Sequence, residues 1–330
     1  MRIRNLNNHL AIGLLLATLS LVSFVPHVAA QTRATANVQE TDDKVKVDLY
    51  TRFVDTYKTN RPLAYEAAKD YLQRYAKEND QYSQYVQMWV ASYEKEQRLA
   101  QLRALVYTDR NFAEAFKLGK QVMADDPNNL DSLIALGNAG YLAASARNEN
   151  FNAEAVGHAK KAIQMIEGGK APADWSPFKG KSDTLASLYN TVGLLKLKSA
   201  PDEAIDALLK TASLDSDLKK LPSLYYYLAS AYQSGPYARL SAEYQKNFAG
   251  KAETPESKQA IERLNQVIDR MIDAYARAVA AAGTDPQQAA NKTAWLATVT
   301  TFYKFRHQDS DAGLSEFIAS ALTRPLPAKP

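Results

Sequence analysis

Leu99 and Leu133, and likewise Leu102 and Leu136, stand 34 residues apart in a chain of 330. Between them run Val106, Ala115, Gly119, Val122 and Pro127, and Gly137 follows Leu136. A self-similarity of this period constrains the fold more than any composition figure does. One period is one helical hairpin, which cannot bury its apolar face alone and must stack on its neighbours. The sequence therefore predicts an all-α chain of antiparallel helical hairpins over residues 44–322.

A targeting segment precedes these hairpins. Arg2 and Arg4 give a positive start, Leu10 to Val25 is almost wholly apolar, and Val28-Ala29-Ala30 offers small residues for cleavage. That order is a secretory signal peptide over residues 1–30, with cleavage after Ala30. The apolar run is 16 residues long, short of the roughly 20 that span a bilayer. The expected location is therefore the periplasm or the outside of a bacterial cell, and the mature chain is expected to have no stable membrane span. Retention of the segment as an anchor is the alternative. Removal of Arg2 and Arg4 with the segment lowers the formal charge from +4 to +2, which gives no electrostatic case for nucleic acid as a partner. There is no cysteine, so neither a disulfide framework nor a thiolate metal site can form.

Past the leader, Gln31 to Asp43 is polar without apolar periodicity and reads as a flexible lead-in. Helical patterning begins near Lys44, with Tyr50, Phe53, Val54 and Tyr57 on one face. Asn60-Arg61-Pro62 and Glu78-Asn79-Asp80 punctuate the first hairpin. Further helices are predicted from Tyr82 to about Tyr107, Phe112 to Ala124, Leu130 to Ala146 and Asn152 to Ile166. Asp125-Asp126-Pro127-Asn128-Asn129 forms a turn between them, because proline cannot continue a helix. Gly168 to Ser182 is an irregular stretch. Its Trp175 and Phe178 are expected to pin the loop to the helices, with ligand contact as the alternative. Tyr189, Val192 and Gly193 restart the pattern, and Tyr225, Leu228, Ala229 and Tyr232 repeat it. A long helix is expected at Pro255 to Ala282, another past Asp285-Pro286, and a last one at Leu314 to Leu322. A proline-rich tail closes the chain from residue 323.

These residues resemble the tetratricopeptide repeat, whose first helix carries Trp-x-x-Leu-Gly-x-x-Tyr and whose second carries Ala-x-x-x-Phe before a closing proline. Leu133, Leu136 and Gly137 match, although Gly140 stands where tyrosine is favoured and Tyr141 follows one step late. Ala115 and Pro127 match the second helix, with Gly119 in place of the aromatic. Tyr225, Leu228, Ala229 and Tyr232 match closely. The clearest repeats fall at about 96–129, 130–168, 186–219 and 222–250. The resemblance implies a right-handed α-α superhelix whose inner groove holds a partner. Inner-groove positions then fall on Asn138 and Tyr141, on Asn190 and Leu194, and on Tyr226, Ser230 and Gln233. Asn138, Tyr141, Asn190, Tyr226 and Ser230 form the candidate partner-binding set, uncharged throughout. The expected function is an exported scaffold or adaptor that binds a protein or peptide segment. The alternative is a helical module of the cell envelope that binds a small molecule or glycan.

Chemistry is not expected. His158 and His307 lie far apart in sequence without metal-like neighbours, and a zinc site needs three or four converging ligands. Neither a phosphate-cradling glycine loop nor an H-E-x-x-H helix occurs. Asp125-Asp126 and Asp215/Asp217 sit where repeat turns belong. No cofactor is expected and the chain is read as a non-enzyme.

Overall fold

The computed structural model describes residues 28–328, with side chains from residue 41 onward. Among the described residues the chain is all-α: helices join through short turns and 3-10 pieces, and no strand occurs. Two compact units divide within one helix, between Ser92 and Tyr93.

The first unit contains α1 (Val28–Thr56), α2 (Arg61–Tyr75) and the start of α3 (Gln81–Tyr107). Asn60 caps α2 by accepting from the Leu63 N–H, and Pro62 occupies the first turn, where a missing N–H costs nothing. Phe53, Ala67, Ala68, Tyr71 and Val86 are fully buried together. Rings fill the space between: Phe53 meets Trp89 edge-on at 5.1 Å, and Tyr50 lies 5.9 Å from Tyr71. The expected signal segment through Ala30 lies almost wholly outside the described residues. Residues 31–43, expected as a flexible lead-in, are instead helical as part of α1. This stretch holds neither glycine nor proline, so the packed end at Leu49 and Phe53 supplies a nucleus that it can extend. The Tyr75 hydroxyl also fastens it, donating to the Asp42 carboxylate at 2.9 Å.

The second unit stacks its helices in sequence order. After α3 come α4 (Phe112–Asp125), α5 (Leu130–Ser145), α6 (Asn152–Glu167), α7 (Lys181–Lys196) and α8 (Pro201–Ser213). Asn111 and Asn129 cap α4 and α5 through the N–H groups of Glu114 and Ser132. Close approach explains the small residues. A Cβ at Gly137 would stand 3.1 Å from the Ala159 backbone, and one at Gly140 only 2.1 Å from the Ala155 Cβ. Gly140 therefore departs from the repeat pattern for a packing reason: α6 occupies the space that a tyrosine would need.

The loop of residues 168–180 is held down rather than free. Trp175 and Phe178 pack, half-buried, on the core of Leu133, Ile166 and Leu188. Arg103 donates to the carbonyls of Asp174 and Ser176 at 2.9 and 3.0 Å and pairs with Asp131.

The last part departs from hairpin stacking. Helix α9 (Pro222–Tyr232) continues through a π turn at Gln233–Tyr237 into α10 (Ala238–Asn247). A two-helix repeat over about 222–250 would need a reversal within it, but α9 runs on into α10 without one. A π turn tolerates Pro236, whose ring nitrogen cannot donate within an α-helix, while Gly235 lets the turn close on Pro201. The antiparallel partner of α9 is instead α11 (Pro255–Ala282), capped by a reciprocal Thr254–Ser257 box. Helix α12 (Ala289–Arg306) packs on α11, and α13 (Leu314–Ala319) closes the core. The proline-rich tail lies along α11. Carbonyls of Arg324 and Pro325 accept from the buried Arg277 guanidinium, and that of Ala328 accepts from Arg270. Beneath them Arg277 pairs with Asp273 at 2.6 Å, and Arg324 reaches the same carboxylate.

Candidate functional site

Two hollows in the second unit meet at one residue, Tyr227. The first, about 420 Å³, lies where α5, α6 and α7 meet, with Tyr141, Ala144, Val156, Leu194 and Leu195 in its walls. Lys198 and Glu149 pair at 3.0 Å on its rim, both largely exposed. Burial pushes the Tyr227 hydroxyl above its ordinary range, with Tyr141 and Tyr226 close enough to add to the effect. Tyr141 of α5 and Tyr227 of α9 both line this hollow.

The second hollow, about 560 Å³, lies between α9, α11 and α12. Tyr226 stacks on Trp295 with centroids 5.4 Å apart and planes 25° from parallel. Tyr226 is half-buried and Trp295 is almost fully buried, so the pair forms one wall whose outer surface is Tyr226. Tyr227 tilts against Tyr226 at 5.5 Å. At the floor, the Tyr275 hydroxyl donates to Gln233 Oε1 at 2.9 Å and lies against Ser230. Burial raises the Tyr275 pKa above the usual phenol range.

The five candidates thus separate into two groups. Tyr141, Tyr226 and Ser230 line the hollows or border their floor. Asn138 and Asn190 are each only 7% exposed and lie between helices. Asn138 accepts from the Ser187 hydroxyl at 3.4 Å and lies against the Tyr107 hydroxyl, whose pKa burial pushes up to about 12. Asn138 is an interior polar group that ties α5 to α7 and α3, since a buried amide needs partners inside the protein. Asn138 and Asn190 both lie among packed helices, outside the walls of the two hollows.

Sequence reasoning missed Tyr227, Trp295, Gln288 and Asn291. The last three come from the segment beyond Gly235, where repeat positions no longer apply, so only the isolated tryptophan in a helical stretch signalled them. Among the described residues, no group of three or more His, Cys, Asp or Glu side chains is gathered for a metal, and no helix is long and apolar enough to cross a membrane. Burial holds the His158 pKa below its ordinary range, against the opposing pull of Glu154. Its ring faces Phe116, away from both hollows. Compared with known proteins, the chain matches no family model, no curated protein and no solved structure.

Proposed function

We propose that this chain is an exported, non-catalytic scaffold resembling tetratricopeptide-repeat proteins, and that it holds a polypeptide segment in the hollow between α5, α6 and α7. The observation that carries this reading is the shape of that hollow. Aliphatic side chains of Val156, Leu194 and Leu195 line it together with Tyr141 and Tyr227, and the Lys198–Glu149 pair marks the rim. An apolar floor with tyrosines suits a peptide side chain, because tyrosine offers a large apolar body and a polar tip at little entropic cost. The rim pair then gives the segment charged groups to orient against, as in the polar border of other interfaces. The signal segment at the amino terminus supports placement outside the cytoplasm.

The test is photocrosslinking from position 141 in cells, followed by mass-spectrometric identification of the attached peptide. Scaffold function predicts one recurrent protein adduct, lost when Leu194→Asp is added to close the hollow with a charge. Adducts spread over unrelated proteins, or unchanged by Leu194→Asp, refute the assignment.

A further inference from the structure

The hollow between α9, α11 and α12 differs in chemistry from its neighbour. Its rim carries Gln288, Asn291, Ser223 and Thr298, and its inner wall is the Tyr226–Trp295 stack. Among the described residues lining it, none bears a formal charge. Its volume of about 560 Å³ falls within the range of small-ligand sites, roughly 300–1,000 Å³. We propose that this hollow binds an uncharged pyranose sugar, as one residue of a neutral oligosaccharide.

Three features select this ligand class. A flat aromatic wall matches the face of a pyranose, where axial C–H groups form an apolar patch that stacks on a π surface. The wall is a nearly parallel stack rather than a set of perpendicular rings, so it offers a platform and not the enclosing cage that selects a quaternary cation. The polar rim then supplies donors and acceptors together. Asn291 Nδ2 donates to Gln288 Oε1 at 3.3 Å, a bond that uses neither the Gln288 amide hydrogens nor the Asn291 carbonyl oxygen, on two residues that both line the hollow. A donor next to an acceptor pairs with neighbouring hydroxyls of one ring, each of which can both give and accept.

The same features argue against other occupants. A carboxylate, phosphate or ammonium ligand would be desolvated without a countercharge, which is costly. A purely apolar ligand would dehydrate the rim amides and hydroxyls with nothing to replace water. The floor is held by structure, not by chance rotamers. The π turn sets Gln233 beneath Tyr275, and their hydrogen bond locks that ring. A rigid, pre-formed surface reduces the ordering cost of binding. The proposal concerns this second hollow alone and stands whether or not a polypeptide occupies the first.

The experiment uses the mature chain carrying Trp89→Phe and Trp175→Phe. Of the three tryptophans, only Trp295 then emits. Tetramers of glucose, galactose and N-acetylglucosamine are titrated, with a uronic acid tetramer and an uncharged proline-rich peptide as comparators. The expected result is a saturable emission change with at least one neutral tetramer. Tyr226→Ala should weaken it by about tenfold or more, a loss of roughly 1.4 kcal/mol, Asn291→Ala should weaken it too, and Tyr226→Phe should retain it. Circular dichroism of each variant separates lost binding from lost folding. No change with any neutral tetramer up to about 10 mM overturns the proposal, as does an equal response to the uronic acid tetramer or the peptide. Because the readout is Trp295, a failure here leaves the crosslinking result at Tyr141 untouched.

Discussion

Replacing Gly140 by alanine tests the close approach on which the stacked helices depend. In a solvent-facing helix this change stabilises by about 0.5–1 kcal/mol, through helix propensity and lost unfolded-state freedom. At Gly140 the new Cβ would stand 2.1 Å from the Ala155 Cβ and 3.6 Å from its Cα. Carbon atoms rest at about 3.5–4.0 Å, so α5 and α6 would have to part by roughly 1.5 Å. Ala155 is fully buried in a core that includes Leu136, Ala139 and Phe116, and overpacking such a site costs about 1–3 kcal/mol. The 2.1 Å approach places this site in the upper part of that range, about 2–3 kcal/mol, so subtracting a propensity gain of about 1 leaves a net loss of about 1–2 kcal/mol. For a unit of this size that lowers Tm by roughly 3–6 °C. The matched control is Gly157→Ala on α6, where nothing lies within 4 Å of the added Cβ; Tm should rise there. Thermal scans of both variants, with Ala155→Gly added to Gly140→Ala, form a double-mutant cycle. The second change should recover part of the loss. If Gly140→Ala stabilises as much as Gly157→Ala, or if Ala155→Gly adds its full cost on top, the helices are not in contact here and the packing argument fails.

Other outcomes follow from the ionisable groups and the tail. In the first unit a hydrogen bond from Lys46, with others from Ser83, holds the Asp80 carboxyl down at about 2, from an ordinary 3.8. A depressed carboxylate stabilises above its unfolded pKa, so urea midpoints should fall as pH drops from about 4 through 2, and Lys46→Met should flatten that fall. Burial pushes the Tyr232 hydroxyl up to about 12. It favours the neutral phenol, so its contribution is full below about pH 10 and lost as pH rises through 12; Tyr232→Phe should make alkaline unfolding shallower in a pH titration by circular dichroism. Because that hydroxyl is buried without a hydrogen-bond partner, Tyr232→Phe should also raise stability at neutral pH by about 1 kcal/mol. Deleting residues 324–330 removes two carbonyl acceptors from the Arg277 guanidinium, which is 3% exposed. Chemical denaturation should show a loss of about 1–3 kcal/mol, and an unchanged midpoint would mean that the tail is not part of the fold.

The sequence predicted most helix limits within a residue or two, because caps and breakers are local. Asn60, Asn129 and Thr254 each accept from the backbone N–H three residues ahead, and Pro255 to Ala282 spans the helix that the pattern predicts. The candidate site was legible only in part. Tyr141, Tyr226 and Ser230 follow from counting along a repeat, whereas Asn138 and Asn190 carry the same register and are nevertheless buried. Register gives the direction of a side chain from its own helix; it does not say how near the next helix comes.

Two features belong to each source. Sequence alone determined the all-α class and the small residues at helix crossings, since periodicity and the lack of a Cβ are properties of the chain itself. Tertiary structure alone decided that α9 runs on through Pro236 and pairs with α11, because a π turn is stable only when packing against Pro201 and α11 repays it. It also decided that Tyr226 meets Trp295, 69 positions further along. No local pattern encodes a contact at that separation, since it arises only once the helices between have been stacked.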